Sequence, residues 1–376
     1  MKIAILGMGT IGSGVYELAK NVSGISVKRT LDIRKWMDDM TLDIMDIVND
    51  PEIEAVVETM GGIDPTFDYA MKCLNAGKHY VTANKHLVSE YIMELKEAAE
   101  KNGVCLMFSA ACGGGIPILK NLYDAQNVDE IKAVGGILNG TTNYILDRMQ
   151  TEGMDYQQAL SEAQALGYAE RDPASDVDGL DAQRKIILAC AVAYAMAPVS
   201  KDIPTAGIRT ISIDDIQYFK ENGLCARLIA SGYKTDGGVS ASVEVHLFRE
   251  DQAECAIHKN VNYAWYEGAA SGRFSFAGQG AGKYPTAANV IQDLIRIQKG
   301  DGKMLPDSTK VIEARADREK AFYVRIPKGD YSVIEKIAVI KKELENDFIA
   351  QTIPVSTGDM HKMLKDIGGV FFAAIE

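Results

Sequence analysis

The chain has 376 residues, 47% of them hydrophobic and 24% charged. That composition excludes a disordered polypeptide and, at roughly 150 residues per domain, leaves room for two or three domains. The 52 acidic and 40 basic side chains give a formal charge of -12, and without a basic patch such a chain repels phosphate backbones and anionic bilayers, so neither nucleic acid nor membrane is expected as a partner.

Six scattered cysteines, Cys73, Cys105, Cys112, Cys190, Cys225 and Cys255, form no CxxC pair and have no histidines at zinc-finger spacing. They read as free thiols in a reducing cytosol, with no metal site. The first residues run from a short apolar stretch straight into glycine, with no basic segment and long apolar run of a signal peptide, which again points to the cytoplasm. The apolar run over 186–199 is too short for a bilayer and reads as a buried helix.

In chain order, 2–6 is an apolar run ending at Gly7, followed by helical spacing over 11–19. A strand over 25–31 ends at Asp32, a helical stretch covers 41–48, and 55–59 reads as a third strand. Helices over 64–75 and 90–101 alternate with strands over 79–82 and 104–108. This alternation predicts an α/β fold of the Rossmann type, a doubly wound parallel sheet.

Beyond Gly113-Gly114-Gly115 the pattern changes to a second, α+β domain. Its helices are expected over 142–150, 156–165 and 181–197, with strand-like runs over 133–138, 238–247 and 261–267. The boundaries read as 1–125 for the nucleotide domain and 126–277 for the second. A return segment over 278–305, with a helix over 286–298, should pack on the first. The remainder, 306–376, reads as a small α+β unit with apolar runs over 321–326 and 348–353 and a helix over 332–344.

Gly7-Met8-Gly9-Thr10-Ile11-Gly12 is a GxGxxG turn between strand and helix, the context in which the pattern binds a dinucleotide. The first glycine permits the turn, the second lets backbone approach a pyrophosphate, and the third lets helix and strand pack. Asp32, about 20 residues on, can accept hydrogen bonds from ribose hydroxyls and repel a 2'-phosphate, which favours NAD slightly. Arg29, Arg34 and Lys35 could cradle that phosphate and favour NADP instead, and Asp32 could merely cap the next turn.

Lys85 follows the strand over 79–82 and falls at the carboxyl edge of the sheet, where ligands bind, although a solvated lysine is the plain alternative. The same edge receives Glu58-Thr59-Met60-Gly61-Gly62 and Ser109-Ala110. The densest signal runs from Gly167 through Glu170, Asp176 and Asp181 to Lys185. Asp181 and Lys185 lie four apart on one helical face, either as a simple salt bridge or as a lysine that exchanges a proton with a substrate oxygen. Glu170 and Asp176 could bind a substrate ammonium. The acids lack EF-hand spacing. Cys112, His79 and His86 read as structural.

The chain resembles the homoserine dehydrogenase family from residue 1 to about 293. The resemblance rests on the motif over 77–85 ending in Lys85, on Gly136-Ile137-Leu138-Asn139-Gly140-Thr141-Thr142-Asn143, on Gly167 to Lys185, and on Gly278-Gln279-Gly280-Ala281-Gly282-Lys283-Tyr284-Pro285. It implies interconversion of aspartate 4-semialdehyde and L-homoserine with NAD or NADP. Lys185 would be the proton donor and acceptor, supported by Lys85 and Asp181, with Glu170 and Asp176 holding the substrate. Gly7, Gly9, Thr10, Ile11, Gly12, Asp32, Thr59, Lys85, Gly167 and Gly280 would contact the cofactor. The resemblance also implies a homodimer.

Three departures stand out. Ser109 replaces the family's glutamate that ligates a monovalent cation, so that cation is not expected. Asp32 stands where many members carry arginine. The tail after about 317 is shorter than the regulatory ACT domain of long members and resembles a degenerate part of one, and no kinase portion precedes the first strand, as in monofunctional members.

Overall fold

Ile3, Ala4, Ile5 and Leu6 are all fully buried, as a strand covered on both faces must be, and this run forms β1 (Lys2–Leu6). The structure, a computed structural model, describes residues 1–35 and 37–376. It divides into two compact units, one comprising Met1–Ile131, Ile187–Ala197 and Glu267–Val311, the other Lys132–Ile186, Pro198–Tyr266 and Ile312–Glu376.

In the first unit, α1 (Thr10–Ala19) follows β1, and β2 (Ser26–Leu31), β3 (Met40–Thr41), α2 (Met45–Val48), β4 (Ala55–Glu58), α3 (Thr66–Asn75), β5 (His79–Thr82), α4 (Lys85–Lys101), β6 (Leu106–Met107) and α5 (Ile118–Ala125) continue the alternation. The strands pair in parallel in the order β3-β2-β1-β4-β5-β6. The order reverses beside β1, so the carboxyl end of β1 is the crevice where such sheets bind ligands. Where a single helix is expected over 41–48, the chain instead makes β3 and the one-turn α2. Asp43 accepts from Met45 N at 2.9 Å and starts that turn, while Thr41 pairs with Leu31 in the sheet.

The helix Lys283–Gln298 packs against α1 in the same unit. Lys283 Nζ donates to Glu17 at 2.8 Å, and Gly14 of α1 sits so close to the Lys283 carbonyl that a Cβ would crowd it. Among the described residues, no helix is long and apolar enough to cross a membrane.

The second unit holds β7 (Ile131–Ile137) from Lys132 on, α6 (Gly140–Glu152), α7 (Tyr156–Ala165), the short α8 (Ala174–Val177) and the opening turns of α9 (Leu180–Tyr194), of which Ile187–Tyr194 counts with the first unit. α9 stops three residues short of the expected 197, where Ala195 turns to a φ of 56°. Two long strands, Leu224–Thr235 and Gly238–Arg249, form a hairpin joined by Asp236-Gly237, with Gly238 at a φ of 138° where the second strand starts. The sheet of this unit runs Val261–Gly268, β7, Leu224–Thr235, Gly238–Arg249, Phe371–Ile375, Phe322–Pro327, Asp347–Thr352, Ala338–Glu343.

The tail therefore departs from the small separate unit expected over 306–376. Phe371–Ile375 pairs in parallel with Val245–Leu247 and antiparallel with Phe322–Arg325, so its strands extend the central sheet. Phe322, Val324, Ile326, Ile334, Ala350, Met360 and Leu364 form the core beneath. The helix expected over 332–344 is a 3-10 turn (Lys328–Val333) and a strand (Ala338–Glu343). Pairing of that strand with Asp347–Thr352 overrides the helical spacing of Ile334, Ile337 and Leu344.

One cysteine expectation is corrected as well. Cys225 and Cys255 form a disulfide, with Cα atoms 5.9 Å apart, while Cys73, Cys105, Cys112 and Cys190 are free. The two partners are separated by 30 residues and meet because the hairpin carries the chain back alongside Leu224–Thr235. A count of spacings does not contain that return.

Candidate active site

The glycine turn after β1 is held from three sides. Gly7, with a φ of 87°, donates its N–H to Leu31 O at 2.8 Å. Asp32 accepts from Met8 N at 2.7 Å and from its neighbour Ile33 N at 2.6 Å. Thr59 Oγ1 donates to Gly7 O at 2.8 Å. A Cβ on Gly12 would overlap the Gly7 carbonyl, whereas one on Gly9 would meet nothing within 4 Å. The third glycine thus serves close packing, and the second faces open space. Gly9 caps α1 without a side-chain hydrogen bond, leaving the N–H groups of Thr10, Ile11 and Gly12 at a helix start that suits a pyrophosphate. These residues fit a dinucleotide.

At the same sheet edge, Glu58 is fully buried and accepts from Met60 N (2.6 Å), Gly61 N (3.0 Å) and Thr82 Oγ1 (2.6 Å). Burial pushes its carboxyl up from the ordinary value, against those hydrogen bonds. Asn84 caps α4, accepting from Leu87 N at 3.1 Å and donating to Gly62 O at 2.6 Å. Lys85 is therefore the first residue of a helix whose start is fixed to the loop after Glu58.

Ser109 donates its N–H and hydroxyl to the enclosed Asp293, at 2.9 and 2.6 Å. Its hydroxyl is committed to that carboxyl and supplies no anionic ligand, so this position does not fit a cation held by a carboxylate. Gly280 lies where a Cβ on Gly114 would overlap its carbonyl, and Gly115 N donates to Gln279 O at 3.1 Å. The glycine-rich run after Ser109 is thus packed against the Gly278-to-Gly282 motif. Among the described residues, no group of three or more His, Cys, Asp or Glu side chains is arranged to hold a metal ion.

In the second unit, Lys185, Asp181 and Asp176 come together at the start of α6. Lys185, 7% exposed, donates from Nζ to Leu138 O and to Asp181 Oδ2, both at 2.7 Å. Asn139 Nδ2 lies 2.8 Å from Asp181 Oδ2 and 2.7 Å from Asp176 Oδ1. Thr141 Oγ1 lies 2.7 Å from Tyr168 O and 3.1 Å from Asp176 Oδ2. Burial, and next the Asp181 carboxylate, holds the Asp176 carboxyl above its ordinary value, opposed by Asn139, Lys185 and Thr141.

A solvated i,i+4 pair is worth little and needs no enclosure. Burial of both Asp181 and Lys185 sets this pair apart, because enclosing two charges costs free energy that a surface pair avoids. An ammonium has three N–H groups, and two of them are fixed by Leu138 O and Asp181.

Glu170 is exposed on the loop before α8, where Gln164 Nε2 donates to its carbonyl at 3.0 Å. Gly167 opens that loop with a φ of 75°. Asn139, Thr141 and Glu58 are structural members of these sites to which sequence reasoning gave no role. The signal for Asn139 was present, since asparagine before Gly-Thr-Thr at a strand end is a helix cap, but its contacts with Asp176 and Asp181 depend on a return of the chain some forty residues later.

A model of the homoserine dehydrogenase family matches residues 117–295, and a model of the homoserine dehydrogenase NAD binding domain matches residues 7–109. The homoserine dehydrogenase of Bacillus subtilis (strain 168) is 33% identical over 370 residues, covering 91% of this chain and 85% of that one. The chain belongs to the homoserine dehydrogenase family.

The Synechocystis homoserine dehydrogenase is 39% identical over 316 residues, covering 79% of this chain and 73% of the relative. A crystal structure of a homoserine dehydrogenase from Thiobacillus denitrificans superposes with a TM-score of 0.86 at 30% identity, over 100% of this chain and 98% of the other. Membership makes the protein an oxidoreductase that uses NAD or NADP and acts on the CH–OH group of a small amino-acid derivative, with the nucleotide-binding unit matched separately from the rest. Homoserine and aspartate 4-semialdehyde are the pair that a homoserine dehydrogenase interconverts.

Proposed function

We propose that Lys185 exchanges the proton at the reacting oxygen of homoserine and aspartate 4-semialdehyde, with Asp181 and Lys85 supporting it and Asp176 and Glu170 holding the substrate ammonium. The observation that carries this reading is the enclosed Lys185 Nζ, set 2.7 Å from both Leu138 O and Asp181 Oδ2. A nicotinamide dinucleotide held through its pyrophosphate by the glycine turn would supply the hydride acceptor or donor. As the hydroxyl of homoserine becomes a carbonyl, Lys185 takes its proton in the neutral amine form and becomes the ammonium, and in the opposite direction that ammonium gives the proton back to the reduced oxygen. Asp181 keeps the amine aimed, while a lysine charge stabilises the alkoxide that develops on the substrate oxygen.

The cofactor contacts fall to Gly7, Gly9, Thr10, Ile11, Gly12, Asp32, Thr59, Lys85, Gly167 and Gly280. Asp32 favours NAD over NADP through the ribose hydroxyls, since a carboxylate that still has lone pairs beyond its two backbone partners accepts them and repels a 2'-phosphate. The protein works as a homodimer, and sedimentation velocity should return about twice 40.9 kDa.

Lys185→Ala tests the chemistry. Its kcat should fall by about 10² to 10⁴, the usual contribution of a positioned acid or base, with NADH affinity measured by nicotinamide fluorescence unchanged. Full turnover in that variant would refute the assignment. The same assay, run with NAD and NADP in parallel, checks Asp32, and a higher kcat/KM with NADP would remove that residue from its role.

A further inference from the structure

We propose that Asn139 is the positioning residue that sets Asp176, Asp181 and, through Asp181, Lys185 in register, a step that rests on the reading of those three residues given above. Asn139 is 4% exposed and its amide is committed at both ends. Its Oδ1 accepts from Thr142 N at 2.8 Å as the cap of α6, and Thr142 Oγ1 stands 3.0 Å away. Backbone N–H cannot be an acceptor, so the oxygen end must face the helix and the NH₂ end must face the carboxylates.

That NH₂ has two hydrogens, one for Asp176 Oδ1 and one for Asp181 Oδ2. Two carboxylates that repel each other are thereby held on one nitrogen. Asp181 Oδ2 is also the oxygen that receives Lys185 Nζ, so a displacement of Asn139 is passed to the lysine through a shared acceptor. The start of α6 and the proton-transfer residue are in this way one rigid assembly.

The residue type follows from the double task. Asn, Asp and Ser cap helices about equally well, and elsewhere in this chain Asp155, Ser212 and Ser356 do so. At position 139 an aspartate would cap α6 but set a third carboxylate against two others. A serine would cap it but could not donate to both acids. Only the amide caps and bridges at once. Asn84, which caps α4 immediately before Lys85, also spends its Nδ2 on a loop of its site, donating to Gly62 O.

The test is steady-state kinetics over pH on Asn139→Ser and Asn139→Asp, with Lys185→Ala in parallel. Both Asn139 variants keep an acceptor for Thr142 N, so the cap survives and NAD binding should stay close to the parent, while thermal unfolding, lowered most in the aspartate variant by its third carboxylate, shows that each is folded at the assay temperature. We expect kcat to fall and KM for homoserine to rise, together lowering kcat/KM by about 10- to 100-fold, the range typical when the partner of a functional side chain is removed. Asn139 pulls the Asp176 carboxyl down, so its loss should move the acid limb of the kcat/KM profile to higher pH. A cap with no other task would leave that profile where it was.

Parent-like kcat, KM and pH profile in either folded variant overturns the proposal. Should the serine variant fail to fold, the aspartate variant supplies the same three readouts. An active Lys185→Ala would overturn the site reading itself. An inactive Lys185→Ala beside parent-like Asn139 variants would overturn only the role of Asn139.

Discussion

Asp293 carries a carboxyl that is 1% exposed and pushed up to about 7 by burial, against the hydrogen bonds from Ser109. An acid whose proton affinity is higher in the folded than in the unfolded chain contributes its full stability below the unfolded pKa, near 4, and loses it as pH rises through 7. Asp293→Asn keeps an acceptor for Ser109 N and a donor for Ser109 Oγ without the ionisation. Thermal or urea unfolding from pH 4 to 8 should show the parent losing a few kcal/mol relative to this variant between pH 4 and 7, at about 1.4 kcal/mol for each tenfold change in proton affinity. Parallel curves would mean that Asp293 is not protonated in the native state. Asp293 lies in the helix Lys283–Gln298, and nothing in its neighbours along the chain marks it, because Ser109 reaches it from 184 residues away.

At the scale of elements, what was legible divides along the kind of strand. β1 and β4 are enclosed on both faces and read directly as the runs Ile3-Ala4-Ile5-Leu6 and Ala55-Val56-Val57, so the order of strands and helices through residue 108, apart from the short β3, follows from the sequence. The strand Leu224–Thr235 gives no such run. It contains Arg227, only 2% exposed, whose guanidinium donates to Gln150 Oε1, to its neighbour Ala226 O, and to Glu254 O and Cys255 O. A buried arginine mid-strand looks like a surface residue until α6 and the Ala253–Ala256 turn bring those acceptors to it. The disulfide between Cys225 and Cys255 sits at the same junction. Of the residues of the candidate site, Lys185, Asp181 and Asp176 were legible by type and spacing, whereas the contacts of Asn139 needed the fold.

Across the molecule, the tail is tied to the second unit by charge as well as by pairing. Glu244 of the strand Gly238–Arg249 is fully buried. Against burial, hydrogen bonds from His246 and His361 and the charge of Lys320 hold its carboxyl well below the ordinary range. Lys320 and His361 belong to the tail, at 3.6 and 3.3 Å. Removing the tail would leave Glu244 enclosed without those partners, a loss of about 3 to 5 kcal/mol for a broken buried pair, and would bare the edges of Val245–Leu247. A truncation that deletes residues 318–376 should therefore unfold or aggregate the second unit, visible as lost hydrogen-exchange protection over 224–249 together with lost turnover. A soluble, active truncated protein with parent-like protection would show the tail to be dispensable.

The strand Phe371–Ile375 is inserted between two strands made earlier, Gly238–Arg249 and Phe322–Pro327. On a ribosome that adds residues one after another from the amino end, this sheet keeps an open slot until residues 371–375 have been translated, more than a hundred residues after the hairpin. Until then the hairpin Leu224–Arg249 exposes a row of unpaired amides and carbonyls to the cell. A chaperone that shields nascent strands would find its longest-lived target there, and slowing translation past residue 249 would lengthen that exposure rather than help the protein fold.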